Sequence, residues 1–198
     1  MPFIGNKPTA VPLSGADIED GTIGLADLSA TGTKDATTFL RGDNTFAVAG
    51  GNNTPAFSVK LSGDQNISDS AATKIAFNTE VLDTDNAFDS STNYRFTVPT
   101  GKDGNYAVGI FMGAYNNNGA VSEVNNARAM IYKNGSIFFN GDQSNSNNPT
   151  KVEVVTTLGV LPLVAGDYIE FYALIDTASN NPAVIGINNT YAYGFKLL

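Results

Sequence analysis

The chain of 198 residues contains no cysteine, no histidine and no tryptophan. Without cysteine there are no disulfides and no thiol nucleophile. Without histidine the ordinary imidazole base is gone, together with the commonest ligand for zinc, copper and haem iron. Cations are scarce as well: eleven Lys and Arg face nineteen Asp and Glu, for a net charge of −8. Phosphate backbones are gripped by clustered cations that release counterions, so no nucleic-acid partner is expected and the acidity reads as solubility. No stretch reaches the roughly 20 apolar residues of a membrane helix, so no membrane insertion is expected. The N-terminus has no charged segment leading into an apolar one, so export by the usual secretory route is not expected either.

What the chain does have is alternating apolar patterning, 20 Gly and many Asn, which reads as one β-rich domain plus an extension. A small domain without disulfides draws stability from elsewhere, and oligomerisation is the obvious source. The turn-rich stretch Gly50-Gly51-Asn52-Asn53-Thr54-Pro55 divides the chain into an arm at 1–50, a linker at 51–55 and a head at 56–198. In the arm, Ile18, Ile23, Leu25, Leu28, Phe39 and Leu40 follow neither a helical nor a sustained strand period. Such residues need a partner surface to offset the entropy of ordering an extended segment, either sister chains or a second protein of the same assembly.

In the head, Phe57, Val59 and Leu61 alternate with Ser58 and Lys60 as in a half-buried strand. Tyr106, Val108, Ile110 and Met112 share one face of a longer strand, with small Ala107 and Gly109 opposite. Asn134-Gly135 tolerates the positive φ angles of a type I′ hairpin. Ile169, Phe171, Ala173 and Ile175 form a core face, and Tyr168, Glu170 and Tyr172 an amphipathic one. Tyr191, Tyr193, Phe195 and Leu197 repeat the theme. These tyrosine rows either complete the sheet-on-sheet core or line an interface where rings bury area and hydroxyls find partners.

Several of these residues carry a resemblance. Phe77, Asp83 and Phe88 stand at the spacing of an aromatic, acid or amide, aromatic opening. Tyr94-Arg95-Phe96-Thr97-Val98-Pro99 and Gly104-Asn105-Tyr106-Ala107-Val108-Gly109-Ile110-Phe111 follow. The chain closes with Ala165-Gly166-Asp167-Tyr168-Ile169-Glu170-Phe171 and the aromatic strand Thr190 to Leu198. From about Pro55 onward it resembles the globular heads of complement C1q and their tumour-necrosis-factor-like relatives, with one extra residue before Phe96 and an expanded Pro99-to-Gly104 connection. The resemblance implies an all-β, ten-strand jelly-roll sandwich and a homotrimer packed through aromatic strands, with Tyr168, Tyr172, Tyr191, Tyr193 and Phe195 as candidate interface residues. In the arm, Pro8 to Ile23 and Thr38 to Phe46 resemble segments of bacteriophage fibre proteins.

Chemistry is sparse. Asp83-Thr84-Asp85-Asn86 with Asp89 begins like a calcium loop, yet Phe88 sits where the turn Gly belongs and Tyr94 where the bidentate Glu belongs, so no metal is assigned. No carboxylate pair, serine elbow or phosphate loop stands out, and neither enzymatic activity nor a cofactor is expected. The amide-rich loops are better material: Asn116, Asn117 and Asn118, then Gln143, Ser144, Asn145 and Asn147, offer donors and acceptors suited to sugar hydroxyls. The combined expectation is a trimeric virion protein, a tail fibre or receptor-binding head that attaches to host-surface glycan. Its arm, through Ile18, Ile23, Leu25, Leu28, Phe39 and Leu40, docks on another virion protein. A capsid decoration protein or head fibre, and a secreted cellular module, are the alternatives.

Overall fold

A computed structural model describes residues 24, 27, 29–48, 53–118, 123–144 and 149–197, apart from the side chains of Gln143 and Ser144. The chain falls into two units, Met1–Gly51 and Asn52–Leu198. In the first, strands β1 (Thr38–Leu40) and β2 (Phe46–Val48) pair antiparallel around the Arg41 to Asn44 turn. Asp43 accepts from the Thr45 hydroxyl at 2.6 Å, and Asn44 takes a positive φ that Asn tolerates well. Phe39 and Leu40 stay exposed on this hairpin. Ile18, Ile23, Leu25 and Leu28 lie outside the described residues.

The second unit is a sandwich of two antiparallel sheets. One sheet runs in the order β11 (Ser136–Ser144), β10 (Val124–Lys133), β13 (Tyr168–Thr177), β8 (Arg95–Thr97), β7 (Phe88–Asp89), with β5 (Thr73–Lys74) also pairing β13. The other runs β4 (Gln65–Asn66), β14 (Pro182–Val184), β9 (Gly104–Asn116), β15 (Tyr191–Lys196), β3 (Ala56–Lys60), β6 (Thr79–Asp83), and β12 (Val152–Leu163) pairs β9 along its length. These thirteen strands exceed the ten read from sequence, because ladders of two residues at β4, β5 and β7 are too short to leave a period.

Among the residues that carry the resemblance, Phe77, Phe88, Phe96, Tyr106 and Phe171 are buried in the core. Phe57 stacks on Phe96 at 4.8 Å and meets Phe88 at 5.3 Å, Phe77 lies edge-on to Phe171 at 5.7 Å, and Tyr106 closes on Phe96 at 5.8 Å. Rings from both sheets therefore meet in one cluster, each such pair adding about 0.5–1.5 kcal/mol beyond its burial. The expanded Pro99-to-Gly104 connection is tied back by the same tyrosine, whose hydroxyl donates to the Lys102 carbonyl at 2.6 Å. At the β10–β11 turn, Asn134 and Gly135 have φ of 51° and 78°, the two positive angles a type I′ turn needs.

Candidate functional site: two outer faces

Residues directly opposite in neighbouring strands share a face. On the seven-stranded sheet one outward row crosses Leu158, Gly109, Tyr193, Ser58 and Leu82, and the next crosses Thr156, Phe111, Tyr191 and Lys60. A third joins Val160, Ala107, Phe195 and Ala56. Leu158 is 65% exposed, Val160 55%, Val154 49% and Tyr191 40%. Phe111 stacks on Tyr191 at 5.3 Å, and Tyr193 lies so flat over Gly109 that any Cβ there would come within 2.7 Å of its ring. The small residue opposite the core face of β9 thus lets an aromatic pack close. The result is a broad apolar surface with few charges, of a kind that monomeric proteins rarely leave in water.

The outer face of the six-stranded sheet is built differently. Tyr168, Glu170 and Tyr172 project from β13 beside Arg95 of β8, Lys74 of β5 and Tyr132 of β10. Tyr132 and Tyr172 stack at 4.0 Å, and Arg95 lies 4.3 Å from the Tyr168 ring centre. Glu170 is only 5% exposed although it faces outward, and Lys74 bonds it at 2.5 Å. Burial pushes the Tyr172 hydroxyl's pKa up, with the Glu170 charge adding to the rise. The five candidate interface residues are therefore split: Tyr191, Tyr193 and Phe195 belong to the apolar face, Tyr168 and Tyr172 to the charged one.

Sequence reasoning missed the β12 half of the apolar face. Its signal is visible: Val152, Val154, Leu158 and Val160 at one parity, Val155, Leu161 and Leu163 at the other. A strand apolar on both faces is one that becomes covered on both.

Among the candidate loop residues with described side chains, one is at work inside the fold and two lie at the surface. Asn116, expected on an exposed loop, is 1% exposed. Its amide donates to Glu123 and to the Ser179 hydroxyl, and its side-chain oxygen accepts from the Asn118 N–H at 3.2 Å. It ends β9 beside β14, where an unpaired amide would be costly. Asn117 and Asn118 are both exposed, although Asn117 donates its amide to Asn66 at 2.9 Å and its N–H to the Asn181 carbonyl. Gln143 and Ser144 end β11, their side chains undescribed, and Asn145 and Asn147 lie outside the described residues.

An open cleft of about 600 Å³ is lined by Glu80, Asp85, Asp89, Ser90 and Pro99, among others. Its acids are engaged within the fold: Glu80 accepts from the Ser90 hydroxyl and Asp85 from that of Thr84. Asp83, next to it, accepts from the N–H groups of Asp85, Ala87 and Phe88, and Asp89 from those of Ser91, Thr92 and Asn93. Hydrogen bonds from those N–H groups hold the Asp89 pKa far below the usual carboxylate range, and the Thr84 hydroxyl with Lys102 lowers that of Asp85. A glycosidase needs one carboxyl raised so that it can deliver a proton, and these two are shifted the other way.

The architecture defines the class: a jelly roll of the complement C1q and tumour necrosis factor type. It is similar to the globular domain of zebrafish complement 1qA protein, with 17% identity, 73% of this chain and 98% of that one covered, and a TM-score of 0.50. It is similar as well to murine APRIL, at 16% identity, 72% and 98% coverage and a TM-score of 0.50, and to the Eiger TNF of S. frugiperda, at 13%, 72% and 92% and 0.52. No protein-family model and no curated sequence matches the chain.

Proposed function

We propose that the head is a homotrimeric, non-catalytic binding module, assembled by burying the outer face of the seven-stranded sheet. The observation that carries this reading is the patch Leu158, Val160, Tyr191 and Leu82, exposed together on one sheet around half-buried Tyr193. Each such side chain is worth about 1.5–3 kcal/mol when fully buried, and a cyclic trimer covers this face in every subunit at once. The resemblance to C1q-like heads, which implies a trimer, points the same way.

The finer reading is a bacteriophage virion protein, a tail fibre or receptor-binding head whose residues 1–50 hold it to the particle, with Phe39 and Leu40 among the docking contacts. Its support is the likeness of Pro8 to Ile23 and Thr38 to Phe46 to fibre segments. Phe39 and Leu40 fit that role, because the β1–β2 hairpin leaves both exposed. A capsid decoration of the same fold would share this arrangement. A cellular binding module is the second reading, favoured by the animal proteins to which the fold is similar. Gold-labelled antibody against the head, applied to intact particles, separates them. Label at fibre tips supports attachment, label over the capsid supports decoration, and unlabelled particles would remove the virion reading. Soluble sugar released from host surface by the purified protein would instead establish an enzyme.

A further inference from the structure

The charged face holds one group that the fold leaves unused. Arg95 lies with its guanidinium carbon 4.3 Å from the Tyr168 ring centre, and among the described residues that guanidinium makes no side-chain hydrogen bond and no ion pair. The acids opposite it are already engaged. Glu170, its register partner on β13, is held by Lys74 at 2.5 Å. Asp89, its partner on β7, accepts from three backbone N–H groups and the Asn93 amide. A guanidinium offers its donors in a planar fork that matches a carboxylate, and stacking on a ring fixes the fork before any ligand arrives. Beside it, the hydroxyls of Tyr132, Tyr168 and Tyr172 have no hydrogen-bond partner among the described residues. The hydroxyls of Tyr106 and Tyr115, which serve the fold, bond the Lys102 carbonyl and the Asp64 carboxylate.

We propose that the outer face of the six-stranded sheet binds an acidic saccharide, with the sugar carboxylate on the Arg95 fork and ring hydroxyls on the neighbouring tyrosine hydroxyls. Half-buried rings beside one uncompensated cation suit a ligand that carries both apolar C–H faces and a single negative group. A polyanionic partner would want a row of free cations, and Lys74 is already committed to Glu170. The inference rests on the binding-module reading and names its ligand class. It also places the ligand on the opposite side of the sandwich from the proposed subunit contact, where assembly leaves it open.

The test is calorimetric titration of the intact protein with galacturonic acid and sialyllactose, each against its neutral counterpart, galactose and lactose. At least one acidic form should bind where its neutral partner does not, and added salt should weaken it. Arg95→Gln should reduce affinity about 10-fold or more, as loss of charge-assisted hydrogen bonds does. Arg95→Lys should fall between the two, and Lys151→Gln, at another exposed cation, should bind as the parent does. Unfolding midpoints of the Arg95 variants separate lost binding from lost fold. Equal binding of acidic and neutral sugars, no binding of either acid at about 10 mM, or full affinity in a folded Arg95→Gln would overturn the proposal. A monomer that binds through Arg95 would sink the trimer reading and leave this one, whereas a trimer that binds neither acid would sink this one alone.

Discussion

The two sheets of the head present opposite chemistry to the outside. Across the seven-stranded sheet, Leu158, Val160 and Leu82 stand uncovered around a half-buried Tyr193 ring packed over Gly109. Across the six-stranded sheet every large ring is matched to a charge or another ring, and even Glu170, nearly buried, has its lysine. The second face meets most of its own rings and charges within a single chain, leaving the Arg95 fork free and Ile137, opposite Tyr132, exposed. The first does not, because nothing in the chain's own described residues covers it. Outward tyrosines alone would not have separated the two, since both faces have them; the difference lies in what surrounds the rings.

The comparison breaks most sharply at β12. Leu158→Asp together with Val160→Asp places two charges in the proposed subunit contact and nothing in the core. The variant should fold and lose self-association by about 100-fold or more, read as a fall in solution mass. A variant that keeps the parent's mass would mean this face is not the contact. Glu170→Gln makes the matching change on the other sheet. It should cost about 2 kcal/mol of stability, since it breaks a largely buried pair whose lysine keeps some solvent, and should leave the mass unchanged. Denaturant midpoints and mass, measured together, check both halves.

Much of the fold is legible in the sequence because its residues repeat at the strand period. Phe57, Phe96, Tyr106 and Phe171 mark the inward face of four strands, and those four rings form the core cluster. The faces were only half legible. Tyr191, Tyr193 and Phe195 alternate as an outward row should, but alternation cannot say which sheet a strand joins. Tyr168 and Tyr172 therefore look like companions of a row on the opposite side of the sandwich. Asn116 misled for a different reason. Asn-rich turns are ordinarily exposed, and here Glu123 and the distant Ser179 together turn its amide inward.

That difference gives a third prediction. Asn116→Ala should lower stability by about 1–3 kcal/mol by leaving Glu123 and Ser179 without their donor. Asn118→Ala, at an exposed position, should change it by less than about 0.5 kcal/mol. Equal effects in thermal unfolding would return Asn116 to the surface.

The smallest effect is a pH dependence at the turn that leads into β13. Hydrogen bonds from Asn134 and the Val164 N–H, with Lys133 nearby, lower the Asp167 carboxyl from 3.8 to about 2. A carboxyl depressed on folding contributes stability that is complete above about pH 3.8 and is lost as pH falls towards 2. Asp167→Asn should flatten that part of the acid unfolding curve. A variant as acid-sensitive as the parent between these values would assign the transition to other groups.

The central claim is that the apolar face is a subunit contact, and sedimentation equilibrium of the intact protein tests it most directly. The account predicts a mass three times 20.8 kDa, steady across micromolar concentrations. A single 20.8 kDa species over the same range would contradict it.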